Sequence, residues 1–401
     1  MKRVLLFIFL LPFTAAAQNI LTGRVVDAGT NEPINAASVF LNNTSIGTST
    51  NTQGQFRIQI PAGKFELIVS SIGYETINLP VSGIEITETL VIKMNLKAKE
   101  LETVVIEPFE KDGWEKWGRL FLENFIGTSE GAGQCKILNH ETIRFRYSKV
   151  KNLLTAIAME PLVIENKSLG YNVVYQLEQF QFDFKNKFLF FQGYPFFKPM
   201  EGSAAKQRRW ESRRADAYSG SILHFMRAIF TNKLKEEGFE VRSLKKIVNE
   251  EKQRVRAVYG KSSRKVSSAG GAVTVTHSSN IPADSLEYYE KILKQKDYFE
   301  EIGKQVLPGD SIAFAVDKAI AGLEFPDYLL VIFKNKQAPP EYRRVHPENG
   351  SAIVSHITLL HGGHVEIYHN GMYYDPANML SLGYWSWSEK ISAMLPFDYW
   401  P

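Results

Sequence analysis

Five of the eight histidines lie between His346 and His369, near Glu366 and Asp375, and imidazoles beside carboxylates are a common donor set for a bound metal ion. Their spacing argues against such a site. Asn370-Gly371 reads as a two-residue hairpin turn, so the preceding strand places His364, Glu366 and Tyr368 on one face and His369 on the other. His361 and His364 are separated by two glycines, which oppose a helix presenting both rings on one side, and the glutamate of a zinc-peptidase helix is missing. No metal site is expected. Cys135 with nearby His140 is the one thiol that could act as a nucleophile, but a lone cysteine is expected to be buried and structural. The sequence holds no Gly-x-Ser-x-Gly elbow, no Gly-rich phosphate loop ending in Lys-Ser or Lys-Thr, and no dinucleotide fingerprint on a strand-to-helix turn. No catalytic residue is assigned, and no cofactor is expected.

Charge gives a better lead. Residues 206 to 265 contain 17 Lys or Arg against 7 Asp or Glu, a surplus of +10 in a chain whose total is +4. Arg208, Arg209, Arg213 and Arg214 are the densest group. Guanidinium groups grip phosphates and carboxylates bidentately, so these four are candidate contacts for anionic lipid headgroups or glycans. The alternative is a solvated face partly paired with Glu211, Asp216, Glu236 and Glu237. The chain then ends in Trp385, Trp387 and Tyr399-Trp400-Pro401, and exposed Trp or Tyr would stack on sugars or form a protein interface. Trp385 and Trp387 are therefore candidate binding residues, with core packing as the alternative. Ser386 and Glu389 have the spacing of a capping box for a short helix ending before Pro396.

The elements that would position these residues can be read in chain order. Lys2 and Arg3 precede an apolar run from Val4 to Phe13, and Ala15-Ala16-Ala17 offers a cleavage site, so residues 1 to 17 are expected to be a secretory signal. That places the protein outside the inner membrane and argues against nucleic acid as a ligand. No later run approaches the roughly 20 residues of a membrane-spanning helix. A single cysteine allows no internal disulfide, so stability must come from core burial. From Val25 the pattern is short alternating strands: Ala37, Val39 and Leu41, then Phe56, Ile58 and Ile60, then Phe65, Leu67 and Val69. Turns at Asn42-Asn43, Gly54, Pro61 to Gly63 and Gly73 space them regularly, which implies an antiparallel β-sandwich.

The offsets of Gly23 with Val25, Pro33-Ile34, Ala37 with Val39, Gly47, Thr50, Gly54 with Phe56, and Ser70 with Gly73-Tyr74 resemble the carboxypeptidase-regulatory-like module, a transthyretin-like or prealbumin-like sandwich. The resemblance implies an accessory domain whose residues are structural. It does not imply peptidase activity, because none of the eight histidines is followed three residues later by Glu. Leu101 to Ile106 resembles the short segment that follows this module in TonB-dependent outer-membrane receptors, but the roughly 290 remaining residues are too few for their barrel. It is read as a strand or linker ending at Pro108.

Beyond it, Trp114, Trp117, Leu120, Phe121 and Phe125 repeat at helical spacing and Gly127 closes the helix. Tyr171, Val173, Tyr175 and Leu177 alternate, the parity shifts, and Phe180, Phe182 and Phe184 alternate again. That shift implies a bulge before the chain turns at Lys185-Asn186-Lys187 into Phe188 to Phe191. Ile222, Phe225, Met226, Ile229, Phe230 and Leu234 then follow a helical period, with Gly238 placed as its cap. The stretch 169 to 197 with 218 to 230 also resembles uncharacterised envelope proteins.

The resulting expectation is a mainly β chain. A signal (1–17) precedes the sandwich (18–95) and a linker or edge strand (96–110), followed by a mixed, mostly β, α+β domain (111–401) with a helix near 204–238. Its expected role is non-catalytic, in the periplasm, at the outer membrane or secreted, binding an envelope glycan, an anionic lipid or a partner protein. The alternative is a secreted or periplasmic hydrolase of glycan or peptide with its site within 111–401.

Overall fold

The computed structural model describes residues 19–61, 63–83, 89–97, 108–259, 263–269, 272–278 and 283–401. The expected signal at 1–17 and the strand or linker at Leu101 to Ile106 lie outside the described residues. The chain divides into two units, one holding residues up to Arg227 with Tyr368–Met372 and Trp387–Pro401, the other Ala228–Ile367 with Tyr373–Ser386. It is mostly β.

In the first unit, seven strands form the sandwich: β1 (Asn19–Asp27), β2 (Ser38–Leu41), β3 (Gly47–Ser49), β4 (Gln55–Ile60), β5 (Lys64–Ser70), β6 (Ile77–Ser82) and β7 (Leu90–Met94). They build a three-stranded sheet β4-β1-β7 facing a four-stranded sheet β3-β2-β5-β6. All pairs are antiparallel except β1 with β7. The alternation read in the sequence puts Val25, Val39, Leu41, Leu67 and Val69 inside, each fully buried. Two turn residues explain the recurring pattern. Asp27 Oδ1 accepts the N–H groups of Gly29 and Thr30, both at 2.8 Å, and these bonds hold its carboxyl below the usual range. Thr50 Oγ1 donates to Ile34 O at 2.7 Å and accepts Ala37 N–H at 2.8 Å, tying the two ends of the second loop together. Gly23 must lack a side chain because a Cβ there would sit 2.4 Å from the Phe56 ring.

Helix α1 (Gly113–Phe125) follows, then a six-stranded sheet of β8 (Cys135–Ile137), β9 (Ile143–Ser148), β10 (Leu153–Ala158), β11 (Leu162–Asn166), β12 (Tyr171–Asp183) and β13 (Phe188–Pro199). The register of β12 against β13 shifts between Leu177 and Gln179, as the change of parity implied. The bulge keeps one face apolar: Tyr175 before it meets Phe125 of α1 at 5.1 Å, and Phe180 after it meets Phe121 at 4.7 Å. Phe121 and Phe125 are fully buried, so the aromatic stripe of α1 is core. Gly127, at φ +103°, ends the helix.

The helix expected near 204–238 is two helices, α2 (Ala204–Tyr218) and α3 (Ile222–Phe230). Gly220, at φ +82°, breaks them. Ser221 Oγ accepts the His224 N–H and restarts the turn. Nor does Gly238 cap α3, because Asn232 adopts φ +51° and the helix stops one turn earlier than its apolar period.

The second unit carries β14 (Phe239–Val248), α4 (Glu250–Tyr259), β15 (Ser263–Ala269), β16 (Ala272–Ser278), α5 (Ala283–Leu293), β17 (Tyr298–Ile302), β18 (Ala313–Ala315), β19 (Ile320–Leu323), β20 (Tyr328–Phe333), α6 (Pro340–Val345), β21 (Ile353–Leu359), β22 (Val365–Tyr368), β23 (Tyr373–Tyr374), β24 (Met379–Gly383) and α7 (Tyr384–Ser388), of which Tyr368, Trp387 and Ser388 fall in the first unit. An antiparallel sheet β17-β14-β20-β21-β24 forms its centre, with a second sheet β18-β19-β22-β23 and the hairpin β15-β16. Val241, Leu244, Leu329, Val331, Ile353, Ile357 and Tyr342 form its core. In the first unit, Asn370-Gly371 makes the hairpin turn read from the sequence, with Gly371 at φ +85° and its N–H donating to Tyr368 O at 2.8 Å. Among the described residues no helix is long and apolar enough to cross a membrane.

Candidate functional site

The four arginines of α2 divide by helix face. Trp210 is the residue that seats the helix: it is buried, its Nε1–H donates to Lys167 O at 3.0 Å, and its ring fills the space beside Gly170 and Gly202. Residues three and four positions on share its face. Arg213 accordingly donates to Ser168 Oγ at 3.1 Å and Gln134 Oε1 at 3.2 Å. Arg214 donates to Leu169 O at 2.7 Å and Gly170 O at 3.3 Å, with its guanidinium 4.1 Å from the Tyr171 ring centre. These two are held by their own chain and do not offer a free fork to a ligand. Arg208 and Arg209 point away from the seat and are exposed. The structure therefore leaves two of the four expected contacts on the surface.

The C-terminal tryptophans also separate. Trp385 is 1% exposed in the core of the second unit, so it cannot stack on a sugar; the expectation of a binding residue is corrected to a core residue. Its N–H donates to Ser355 Oγ at 3.1 Å. Trp387, in the first unit, is half-buried and donates from Nε1 to Thr128 Oγ1 at 3.0 Å. Ser386 and Glu389 do not form a capping box. Ser386 Oγ donates to Gly383 O at 2.9 Å, while Glu389 Oε1 accepts the N–H of Ile222 at 3.0 Å and so caps α3. Desolvation pushes the Glu389 carboxyl up to about 7 and the neighbouring Lys390 ammonium down to about 8.

The histidines are dispersed. His346 lies 3.3 Å from Glu348, His364 packs edge-on to Phe314, and burial holds His356 and His369 below the usual imidazole range. Among the described residues no three His, Cys, Asp or Glu are grouped to hold a metal ion. The Cys135 thiol is buried and pushed up to about 12, which keeps it protonated and unreactive at neutral pH.

Two grooves flanking α1 were not evident from the sequence, because each depends on how α1 packs against the segments that follow it. One, of about 490 Å³, is lined by Trp114, Phe145, Glu110, Glu115, His140 and Glu141 among others. Its Glu110 pairs with Lys116 at 2.8 Å and its His140 ring lies 4.5 Å from that of Trp114. The other, of about 480 Å³, runs past Leu122, Ile126, Ala132 and Cys135 and is mainly apolar. Trp114 forms a wall of both, and of the two it is the first that sets carboxylates, Glu110, Glu115 and Glu141, beside an imidazole, His140.

The architecture is thus a seven-stranded sandwich, with turn residues that hold its own loops, followed by further, mostly β elements. Residues 21–106 match the family model described as the CarboxypepD_reg-like domain. Among curated proteins, none matches this chain. Similar solved structures include a DUF3823 family protein from Bacteroides ovatus, at 12% identity and TM-score 0.16, covering 47% of this chain and 83% of that one. Another is a protein of unknown function, thought to be membrane-associated, from Bacteroides fragilis, at 12% identity and TM-score 0.16, covering 91% and 97%. A third is a 9R-lipoxygenase from Cyanothece, at 10% identity and TM-score 0.16, covering 54% and 49%.

Proposed function

We propose that the protein is an exported, non-catalytic cell-envelope protein that acts by binding, with α2 as its docking element for an anionic lipid headgroup or glycan. The observation that carries this reading is the division of α2. Trp210, Arg213 and Arg214 fix the helix to the turn between β11 and β12, so Arg208 and Arg209 are presented on a rigid support. A preorganised pair loses less conformational entropy on binding than two arginines on a loose loop. Trp387, half-buried and tethered to Thr128, is a secondary candidate contact, and a partner protein is the alternative ligand.

The test is the charge-reversed variant Arg208→Glu/Arg209→Glu, expressed in the native cell and followed by envelope fractionation at low and high salt. Electrostatic attachment predicts that the wild-type chain stays with the envelope at low salt and leaves it at high salt, and that the variant is released at low salt. Retention of the variant equal to wild type at both salt levels removes α2 as the docking surface.

A secreted hydrolase is the second reading, and the groove holding Glu110, Glu115, His140 and Glu141 is where it would place its acid and base. Hydrolysis of envelope glycan or peptide by the purified chain, lost in Glu115→Gln/Glu141→Gln, would establish it in place of the binding role.

A further inference from the structure

The excursion between β14 and β17 leaves and rejoins one sheet through a narrow neck. Asn249, 2% exposed, donates its backbone N–H to Asp297 O at 2.9 Å, and its side-chain amide donates to Gln295 Oε1 at 3.0 Å and Lys296 O at 3.2 Å. This fixes β17 as the outermost strand of the central sheet of the second unit. Its inner edge pairs with β14 from Val248 opposite Tyr298 to Leu244 opposite Ile302. Its outer edge has no ladder partner among the described residues, and all five of its residues are exposed. Phe299 is 53% exposed, and the residue opposite it, Ile247, is 50% exposed. An open edge flanked by apolar side chains is an arrangement that sheets ordinarily cover or avoid.

Two features define what fits there. The row of unpaired backbone N–H and C=O groups is satisfied by an extended chain, not by a helix or a small molecule. The centre of the strand is Glu300-Glu301, whose side chains project to opposite faces. In register they stand opposite Lys246 and Lys245, yet neither forms an ion pair among the described residues. The Lys246 ammonium lies instead 4.3 Å from the centre of the Tyr328 ring. Glu301, and Glu300 beyond its through-space attraction to Lys246, remain open to cations on an incoming strand. A second copy of β17 does not supply them: antiparallel pairing of the five residues with themselves sets Glu300 against Glu300, and like charges directly opposite are destabilising.

We propose that β17 is a docking edge that takes an extended segment of a partner protein, one with two consecutive basic residues flanked on both sides by apolar or β-branched ones. Consecutive basic residues on a strand point to opposite faces and meet Glu300 and Glu301 one each. The site consists of second-unit residues alone and does not depend on the arginines of α2.

The test measures binding of three fluorescein-labelled peptides to the full chain by anisotropy: Thr-Val-Lys-Lys-Val-Thr, its Glu-Glu counterpart, and a Lys-Pro version that cannot complete the ladder. The Lys-Lys peptide is expected to bind at least tenfold tighter than either of the others. In Glu300→Lys/Glu301→Lys the preference is expected to invert toward the Glu-Glu peptide. Both substituted positions are exposed, so an unchanged melting temperature checks the fold. Equal binding of the three peptides by the wild-type chain overturns the proposal, as does a variant with unchanged preference. A concentration-dependent dimer that disappears in the variant would also overturn it, by making a second copy the occupant.

Discussion

At the scale of the residue, Glu389 carries the most specific consequence. Its carboxyl caps the start of α3 from a position 167 residues away and is pushed up to about 7 by desolvation. A carboxyl with a folded pKa above its usual 4.5 binds more protons in the folded chain than in the unfolded one across that interval. Stability from this group is therefore greatest below about 4.5 and declines as pH rises toward about 7. Glu389→Gln keeps the acceptor for Ile222 N–H and removes the charge, so thermal melts between pH 4.5 and 7.5 should lose that decline, with a melting temperature at pH 7.5 no lower than wild type. Glu389→Ala removes the acceptor as well and should lie roughly 1–2 kcal/mol below Glu389→Gln at every pH in the range. An unaltered pH slope in the Gln variant would mean that Glu389 titrates as a solvated group. The residue type was legible in the sequence as a helix cap, but its partner was not. A capping box is a local pattern, whereas the helix that Glu389 serves is distant in the chain. Trp385 shows the complementary difficulty: its type fits both a sugar platform and a core, and only the packing around Ser355 decides.

At the scale of the element, periodicity was informative wherever the side chains had one buried face. The parity shift in β12 was visible because Tyr175 and Phe180 serve the same core on either side of the bulge. The stop of α1 at Gly127 was visible for the same reason. The break between α2 and α3 was hidden because α2 buries only Trp210 and has no apolar stripe to phase against α3. What holds α2 in place is instead the meeting of Trp210 with Gly170, which sits at φ +72°, and a Cβ there would lie 2.3 Å from the indole. Gly170→Ala combines backbone strain with overpacking and should destabilise the chain by about 2–4 kcal/mol in urea unfolding followed by circular dichroism. If the seating of α2 is what presents Arg208 and Arg209, this variant should also weaken envelope retention with all four arginines intact. A loss below about 0.5 kcal/mol, within the range of an ordinary surface change, would show that α2 is not seated through Trp210.

At the scale of the molecule, the sandwich is built into the first unit as part of its fold. In β2 and β5 the inward residues Val39, Leu41, Leu67 and Val69 fill the sandwich, yet the outward residues Phe40 and Ile68 are also fully buried. They pack with Phe196 of β13, whose ring stacks on Phe40 at 5.1 Å. Polar bonds fix the same seam: Gln176 Nε2 donates to Ser70 Oγ at 2.5 Å, Asn43 N–H to Pro195 O at 2.9 Å, and Ser45 N–H to Asp398 Oδ1 at 2.9 Å. The sequence held a trace of this seam, since Val39-Phe40-Leu41 and Leu67-Ile68-Val69 are apolar at both parities, the signature of a strand buried on both faces. What it could not show was which later segment covers them, because Phe196 reads as one more aromatic in a hairpin already rich in them. The seam makes the sandwich and the six-stranded sheet unfold together, so calorimetry should resolve no separate transition for the sandwich. Phe196→Ala removes the ring that Phe40 stacks on and should cost about 3–5 kcal/mol. By exposing Phe40 and Ile68 it should also split a sandwich transition from the rest. If the variant instead melts in the same number of steps as wild type with a small shift, the polar bonds of Ser70, Asn43 and Ser45 carry the coupling and the aromatic stack is incidental to it.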